Sequence, residues 1–402
     1  ELCDAWNDAE TADLARRLVA IGDRVYVTLG YGEPGTALDA ATGETIRAYA
    51  ETEETQEIVY HDGTLLLVLG RRNHSWRAQK AKQIVSQKDY QPPFERYTPP
   101  VHQKHVMAIR ADSGEVQWKN TESYAREIMP STLAASGRGV FLQNAEAVIC
   151  LDAGTGELRW EASRPVHHRR LAWSSPTLVV HDGLVFSADR RAEKTEGDIL
   201  WMPSGGYHQY LRGEGARGQL IAFDAETGER LWSCPAYEGF NVPVDVMIAD
   251  GLLWTGRFAW GGDPGITEAR DPRTGEVVRQ RPADQEFLPR IGHARCHRAK
   301  ATSKYLVLGR RGVEFVNLRT GDMVANFWVR GGCQYGVTPA NGLLYVPPHA
   351  CACNVKDMIK SGFIALAPPA DQQGETGGEP PPRTQTGSGL WDGARRQSTA
   401  AK

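Results

Sequence analysis

Residues able to do chemistry gather in the last third of this 402-residue chain, between positions 292 and 354. His293, Arg295, Cys296 and His297 stand in GHARCHRAKAT, Arg330, Cys333 and Tyr335 in WVRGGCQYG, and His349, Cys351 and Cys353 in PPHACACN. A histidine or tyrosine base beside an arginine that neutralises a carboxylate is the apparatus for removing a proton next to a uronate. His293, Arg295, Tyr335 and His349 are therefore the candidate catalytic set, expected to converge on one pocket if the chain is a lyase-type enzyme acting on an anionic polysaccharide. The cysteines leave three readings open. Cys296, Cys333, Cys351 and Cys353 are candidates for one or two disulfides, each stabilising a closed loop by about 3–4 kcal/mol in the chain-entropy picture. Cys351 and Cys353 alternate onto one side of an extended segment with His349 two residues earlier, a set whose softness would suit zinc or copper. Buried free thiols are the third reading.

Two further stretches carry binding-type side chains. Residues 71–104 hold eight Lys/Arg against two Asp/Glu, including Arg71 and Arg72, with aromatic residues such as Trp76 interleaved. A basic aromatic loop suits an anionic ligand, and a solvated excursion is the plainer alternative. Residues 190–217 bring Trp201, Tyr207 and His208 around a Gly-Gly pair, the kind of long loop that lines a site or caps an edge. With Arg330, these are the candidate ligand-binding residues.

All these segments interrupt a repeat, and the repeat is what must position them. LDAGTGELRW at 151–160 has close copies beginning at 38, 109, 223, 270 and 316. The turn glycines Gly43, Gly114, Gly156, Gly228, Gly275 and Gly321 are spaced 71, 42, 72, 47 and 46. The short spacings match the ~40–50 residues of a four-stranded propeller blade. The two long ones hold a blade plus one of the two insertions. Before each turn comes an apolar strand, a Gly hairpin and another apolar strand, as in IVYHDGTLLLVLG at 58–70 and LVVHDGLVFSA at 178–188. Asp-Gly supplies the positive φ angles of a tight hairpin. Where Trp follows three residues after the turn Glu, it is expected to pack between neighbouring blades. The pattern predicts an all-β fold, a single propeller of seven four-stranded blades (eight if residues 1–13 or a partner segment completes another). The propeller should span 14–366, with insertions 71–104 and 190–217. A Pro/Gly/Gln/Ser-rich stretch from 367 to 402 reads as a disordered tail.

Bulk properties exclude several classes. A net charge of −3 makes no general case for nucleic acid, and no run approaches the ~20 apolar residues of a membrane span. Phosphate-loop and Gly-x-Ser-x-Gly signatures do not occur. The chain opens on Glu1-Leu2-Cys3 without Met or a signal-peptide pattern, so the N-terminus is read as processed or as cut from a larger chain or complex.

The recurring Leu-Asp-Ala-x-Thr-Gly-Glu-x-x-Trp and the Asp-Gly hairpins resemble the PQQ-like propeller repeat over about 14–366. That family includes quinoprotein alcohol dehydrogenases and the lipoprotein propeller of the outer-membrane assembly machine. The last third (RCHRAKAT, WVRGGCQYGV, ANGLLYVPPHACAC) is similar to a subgroup of large bacterial, planctomycete-like propeller proteins. The resemblance implies a periplasmic or other extracytoplasmic setting and a binding or scaffold role toward a carbohydrate or a protein. Quinoprotein dehydrogenases resemble one another in an adjacent Cys-Cys pair over the quinone and a cation site of Glu, Asn and Asp. Here the nearest pair is Cys351-Ala352-Cys353. No cofactor is therefore expected, PQQ or a divalent metal being the alternative that would accompany a dehydrogenase.

Overall fold

A computed structural model describes residues 17–30, 32–70, 104–126, 128–166, 176–192, 218–236, 244–256, 266–280, 297–309, 312–332, 336–348 and 362–367. The described strands form seven antiparallel sheets in chain order, six of four strands and a last one of three. These are the blades of a β-propeller. Blade 1 covers 18–48, blade 2 55–120, blade 3 134–163, blade 4 177–236, blade 5 247–280, blade 6 300–326 and blade 7 338–366.

Within a blade the strands run up and down in sequence, each hydrogen-bonded to the next. The first strands of blades 1 and 2, 2 and 3, 3 and 4, and 5 and 6 approach one another, so the first strand is the one nearest the axis. The fourth strand lies on the rim, and in blade 1 (Thr45–Ala48) it is exposed throughout.

Alternation along each strand builds the core. In blade 2, Leu65, Leu67 and Leu69 face blade 1 with Tyr26 and Tyr49, while Leu66 and Val68 face blade 3 with Val140, Leu142 and Ile149. One strand thus serves two seams because successive side chains point to opposite faces. Equivalent apolar layers fill the seams between blades 3 and 4, 4 and 5, 5 and 6, and 6 and 7.

The hairpins joining first to second strands take Asp or Asn and then Gly at positive φ, as at Asp62/Gly63, Asp182/Gly183, Asp250/Gly251 and Asn341/Gly342. Two successive left-handed residues match the right-handed twist of the strands they join. In the turns joining third to fourth strands, the leading Asp folds its carboxylate back over the backbone. Asp224 Oδ1 accepts from the amides of Glu226 and Thr227 at 2.9 and 2.8 Å, and Asp39, Asp152 and Asp271 repeat the arrangement. Asn317 does so in blade 6 with its amide oxygen.

The tryptophan expectation is met at three seams. Trp118 donates its Nε1–H to the carbonyl of Ala153 at 2.8 Å, Trp160 to that of Ala225 at 3.0 Å, and Trp232 to that of Pro272 at 3.0 Å. Each ring lies flat on the turn glycine of the next blade. A Cβ on Gly156 would stand 2.4 Å from Trp118, on Gly228 2.7 Å from Trp160, and on Gly275 2.6 Å from Trp232. The turn glycine is thus required twice, for its positive φ and for the ring that covers it.

Candidate functional face

Up-and-down order sorts the connections. The first-to-second hairpins of all seven blades and the third-to-fourth Gly turns of blades 1 to 6 lie at one end. Second-to-third links and the crossovers to the next blade lie at the other. All stretches that break the repeat, including 71–104, 190–217 and those carrying the histidines and cysteines of 292–354, leave from and return to described strand ends at this second end.

Beneath that end the apolar core gives way to buried polar side chains. Gln143 ends the second strand of blade 3 (Gly139–Gln143) and is fully buried. Its Nε2 donates to Asp189 Oδ2 at 2.6 Å, and its Oε1 accepts from Ser187 Oγ at 2.6 Å, both on the second strand of blade 4 (Leu184–Arg190). Arg164, 1% exposed, leaves the rim strand of blade 3 and turns inward. Its Nε donates to Ser187 Oγ at 3.2 Å, Nη1 to the carbonyl of Arg190 at 2.9 Å, and Nη2 to that of Gln219 at 2.9 Å. Arg190 and Gln219 flank the start and the return of the second insertion, so one buried guanidinium holds both of its roots. At the first insertion, buried Gln56 donates to the carbonyl of Gly70, the last residue before it, at 2.5 Å.

A second cluster sits where first strands enter near the axis. Arg298, just ahead of blade 6, donates to the carbonyl of Pro176 at 2.6 Å and to Thr177 Oγ1, both at the entry of blade 4. Its Nη1 lies 3.7 Å from Asp245 Oδ1 at the entry of blade 5, while Asp245 Oδ2 accepts from the amide of Ala299 at 2.9 Å. Thr177 Oγ1 in turn donates to the carbonyl of Val244. Three blades are stitched together at one point.

His297 stands beside this cluster, 2% exposed, its Nδ1 3.1 Å from the carbonyl of Arg298. That contact requires the proton on Nδ1. The ring is packed against bare backbone on two sides, since a Cβ on Gly309 would fall 2.0 Å from it and one on Gly336 2.7 Å. Glu314 is also buried and accepts from the amide of Gly312 at 3.1 Å.

Of the residues singled out from the sequence, Arg330 is described, and it is 2% exposed in the short link between blades 6 and 7. His293, Arg295, Tyr335 and His349 lie outside the described residues. So do Arg71, Arg72, Trp76, Trp201, Tyr207 and His208, and the cysteines Cys296, Cys333, Cys351 and Cys353. The two described cysteines, Cys150 and Cys234, are free and buried on different blades. Burial pushes the Cys150 thiol up to about 11, which suits a packing role. Among the described residues no group of three His, Cys, Asp or Glu is placed to hold a metal, and no helix is long and apolar enough to cross a membrane. Sequence reading passed over Gln143, Arg164, Asp189, Asp245 and Arg298. The available signal was a polar residue closing an apolar strand at the end away from the turns, as in VFLQN and FSADRR.

The chain is similar to several proteins of known structure. BamB from Moraxella catarrhalis is 16% identical, with 81% of this chain and 76% of that chain covered and a TM-score of 0.46. The quinohemoprotein alcohol dehydrogenase ADHIIG from Pseudomonas putida HK5 is 15% identical over 88% of this chain and 55% of that one, with a TM-score of 0.39. The computationally designed Ika8 protein is 14% identical over 83% of this chain and 93% of its own, with a TM-score of 0.40. A search of curated proteins returned no match. The family model described as outer membrane protein assembly factor BamB (PQQ_2) matches residues 102–332, more than half of the chain, and the protein belongs to that family of PQQ-like propellers.

Proposed function

We propose that this propeller is an extracytoplasmic binding or scaffold module that presents the connection end of its blades to a protein partner. The observation that carries the reading is the sorting of the chain. The insertions and crossovers between the described strands all depart from one end, over a floor of buried polar side chains, while at the opposite end of blades 1 to 6 the same turns recur. Loops carried on a rigid scaffold are where binding residues concentrate. Membership of a family described as an outer membrane assembly factor supports both the class of partner and the setting.

Two carboxylates are buried near the axis, Glu57 on the first strand of blade 2 and Asp245 ahead of blade 5. Asp245 is engaged by a backbone N–H and faces a guanidinium. Such a group makes a poor ligand for the divalent cation that accompanies PQQ in dehydrogenases. The adjacent cysteine pair is also lacking from the sequence.

The test is site-specific photo-crosslinking in cells that export the protein. Probes replace exposed Leu29 and Trp328 at the connection end, and exposed Thr42 and Thr227 at the turn end. A discrete protein adduct from the first pair and none from the second is the expected result. Equal labelling from both ends, or none, overturns the reading. Purified protein incubated with a polyuronate should release no unsaturated product. Release of that product, abolished by His293→Ala, would establish the lyase alternative instead.

A further inference from the structure

Of the six described rim strands, five are built against pairing with another chain and one is not. In blades 1 to 5 the ladder between third and fourth strands slips by one residue just after the turn, leaving Ile46, Gln117, Arg159, Leu231 and Val278 as bulges. Each of these strands also carries charge, with Arg47, Lys119, Arg159, Arg230 and Arg279 in turn. Bulges and charged side chains keep a sheet edge from acting as a template. The bulged blades are also the ones that send a clasp from the rim strand, or the residue after it, onto the turn of the next blade. Tyr49 rests on Gly114, while Trp118, Trp160 and Trp232 cover Gly156, Gly228 and Gly275, and Arg279 donates to the carbonyl of Leu318.

Blade 6 departs from this pattern. Its rim strand Met323–Asn326 pairs in unbroken register from Val316↔Met323 to Val313↔Asn326, and it holds no charged residue. Ala325 stands at the clasp position, so no bulge is needed to aim a side chain there. Val324 is 67% exposed, and the apolar surface runs on into Phe327 and Trp328, 37% and 74% exposed. At the turn, the N–H of Asn317 donates to the carbonyl of Asp322 at 2.8 Å. Hydrogen-bonded and non-hydrogen-bonded pairs alternate from there. Val324 and Asn326 therefore bond inward to the third strand, while the N–H and C=O groups of Met323 and Ala325 point to the outer edge.

We propose that a second copy of this chain pairs antiparallel with this strand, Val324 opposite Val324, joining the two sixth blades into one continuous sheet. In this register the outward backbone groups of Met323 in one copy bond those of Ala325 in the other. Alternation puts Asp322, Val324 and Asn326 on one face of the strand. Across the twofold axis each Asp322 carboxylate then meets the Asn326 amide of the other copy. Asn326 Oδ1 accepts from the backbone N–H of Trp328 at 2.9 Å, which leaves the Nδ2 donors to face that carboxylate. The edge is thus complementary to itself, as an isologous contact must be. Two β-branched side chains meet in the closely spaced central pair, a donor faces an acceptor on either side, and no like charges are opposed. The contact lies on the rim and does not depend on the partner at the connection end.

The experiment is sedimentation velocity on the purified full chain over a concentration series. A reversible shift from monomer to dimer mass is expected. Val324→Lys sets like charges across the axis and should weaken association by about tenfold or more. Ala325→Pro removes an outward N–H and spares the inward ladder, so it should give a monomer with the blade intact. Val278→Lys, at a comparably exposed valine on the bulged rim of blade 5, should leave the dimer unchanged. On oxidation Val324→Cys should form a 324–324 disulfide between chains, mapped by mass spectrometry. A monomer at every concentration, a dimer that survives Val324→Lys, or one lost equally in Val278→Lys would overturn the proposal.

Discussion

The tryptophan and the glycine it covers are one unit, and the energetics should show it. Trp118 and Trp160 are 8% and 9% exposed, so replacing either by alanine removes a large buried ring as well as a hydrogen bond. Equilibrium urea unfolding should give a loss of about 3–5 kcal/mol for Trp160→Ala. Trp160→Phe, which keeps most of the contact and loses the donor, should cost about 1–2 kcal/mol. Gly156→Ala combines a left-handed alanine with a Cβ forced into the Trp118 ring, and should cost about 2–4 kcal/mol. Gly63→Ala, strained but unobstructed, should stay near 1–2 kcal/mol, roughly the left-handed term alone. Equal costs at Gly156 and Gly63 would show that the ring tolerates the methyl group.

Among the elements, the Asp-led turns set the acid response. Asp224 and Asp271 are held below the usual carboxylate range chiefly by backbone N–H donors, those of Thr227 and Thr274, and Asp39 likewise by that of Thr42. For Asp152, partial burial is the largest influence and acts upward, and the N–H groups of Gly154 and Thr155 with the Arg138 guanidinium together outweigh it. A carboxyl depressed in the folded state stabilises the fold above its unfolded value, about 3.9, and loses that contribution as pH falls through the lower folded value. Asn317 already makes the same turn uncharged. The triple variant Asp39→Asn, Asp224→Asn, Asp271→Asn should therefore remain folded at neutral pH and show a shallower drop in urea midpoint below about pH 4. An unchanged acid slope would place the acid sensitivity elsewhere. The buried cluster under the second insertion is the other element-scale device. Arg164→Ala strips donors from the carbonyls of Pro165, Arg190 and Gln219 and from Ser187, and should cost about 3–5 kcal/mol, the range for breaking a buried charged network. Combined with Gln143→Ala, the loss should be less than additive, because both side chains meet at Ser187.

Over the whole ring, the clasps weaken along the chain, from aromatic at blades 1 to 4, to Arg279 at blade 5, to Ala325 at the same position in blade 6. Local opening free energy follows buried contact and protected hydrogen bonds. Hydrogen exchange should accordingly be slower in Leu184–Arg190 of blade 4 than in Tyr305–Leu308 of blade 6. The reverse order would mean that the clasps do not govern blade opening. Much of this plan was legible in the residues, because a blade's period, its Asp-Gly hairpins and its Thr-Gly turns are local features with local physical causes. The functional face was legible only in outline. Arg330 could be recognised as an arginine at a break in the repeat, but not as a buried one. Nothing adjacent to Arg164 in the chain announces that its partners are Ser187, Arg190 and Gln219.

By itself the sequence determined the blade, its repetition, its turn chemistry and where the repeat is interrupted, since each depends on residues a few positions apart. Only the tertiary structure decided that the insertions and crossovers share one end and that polar side chains of separate blades interlock beneath them. Those outcomes depend on contacts between residues tens of positions apart, which arise when strands pack around an axis and are invisible along the chain.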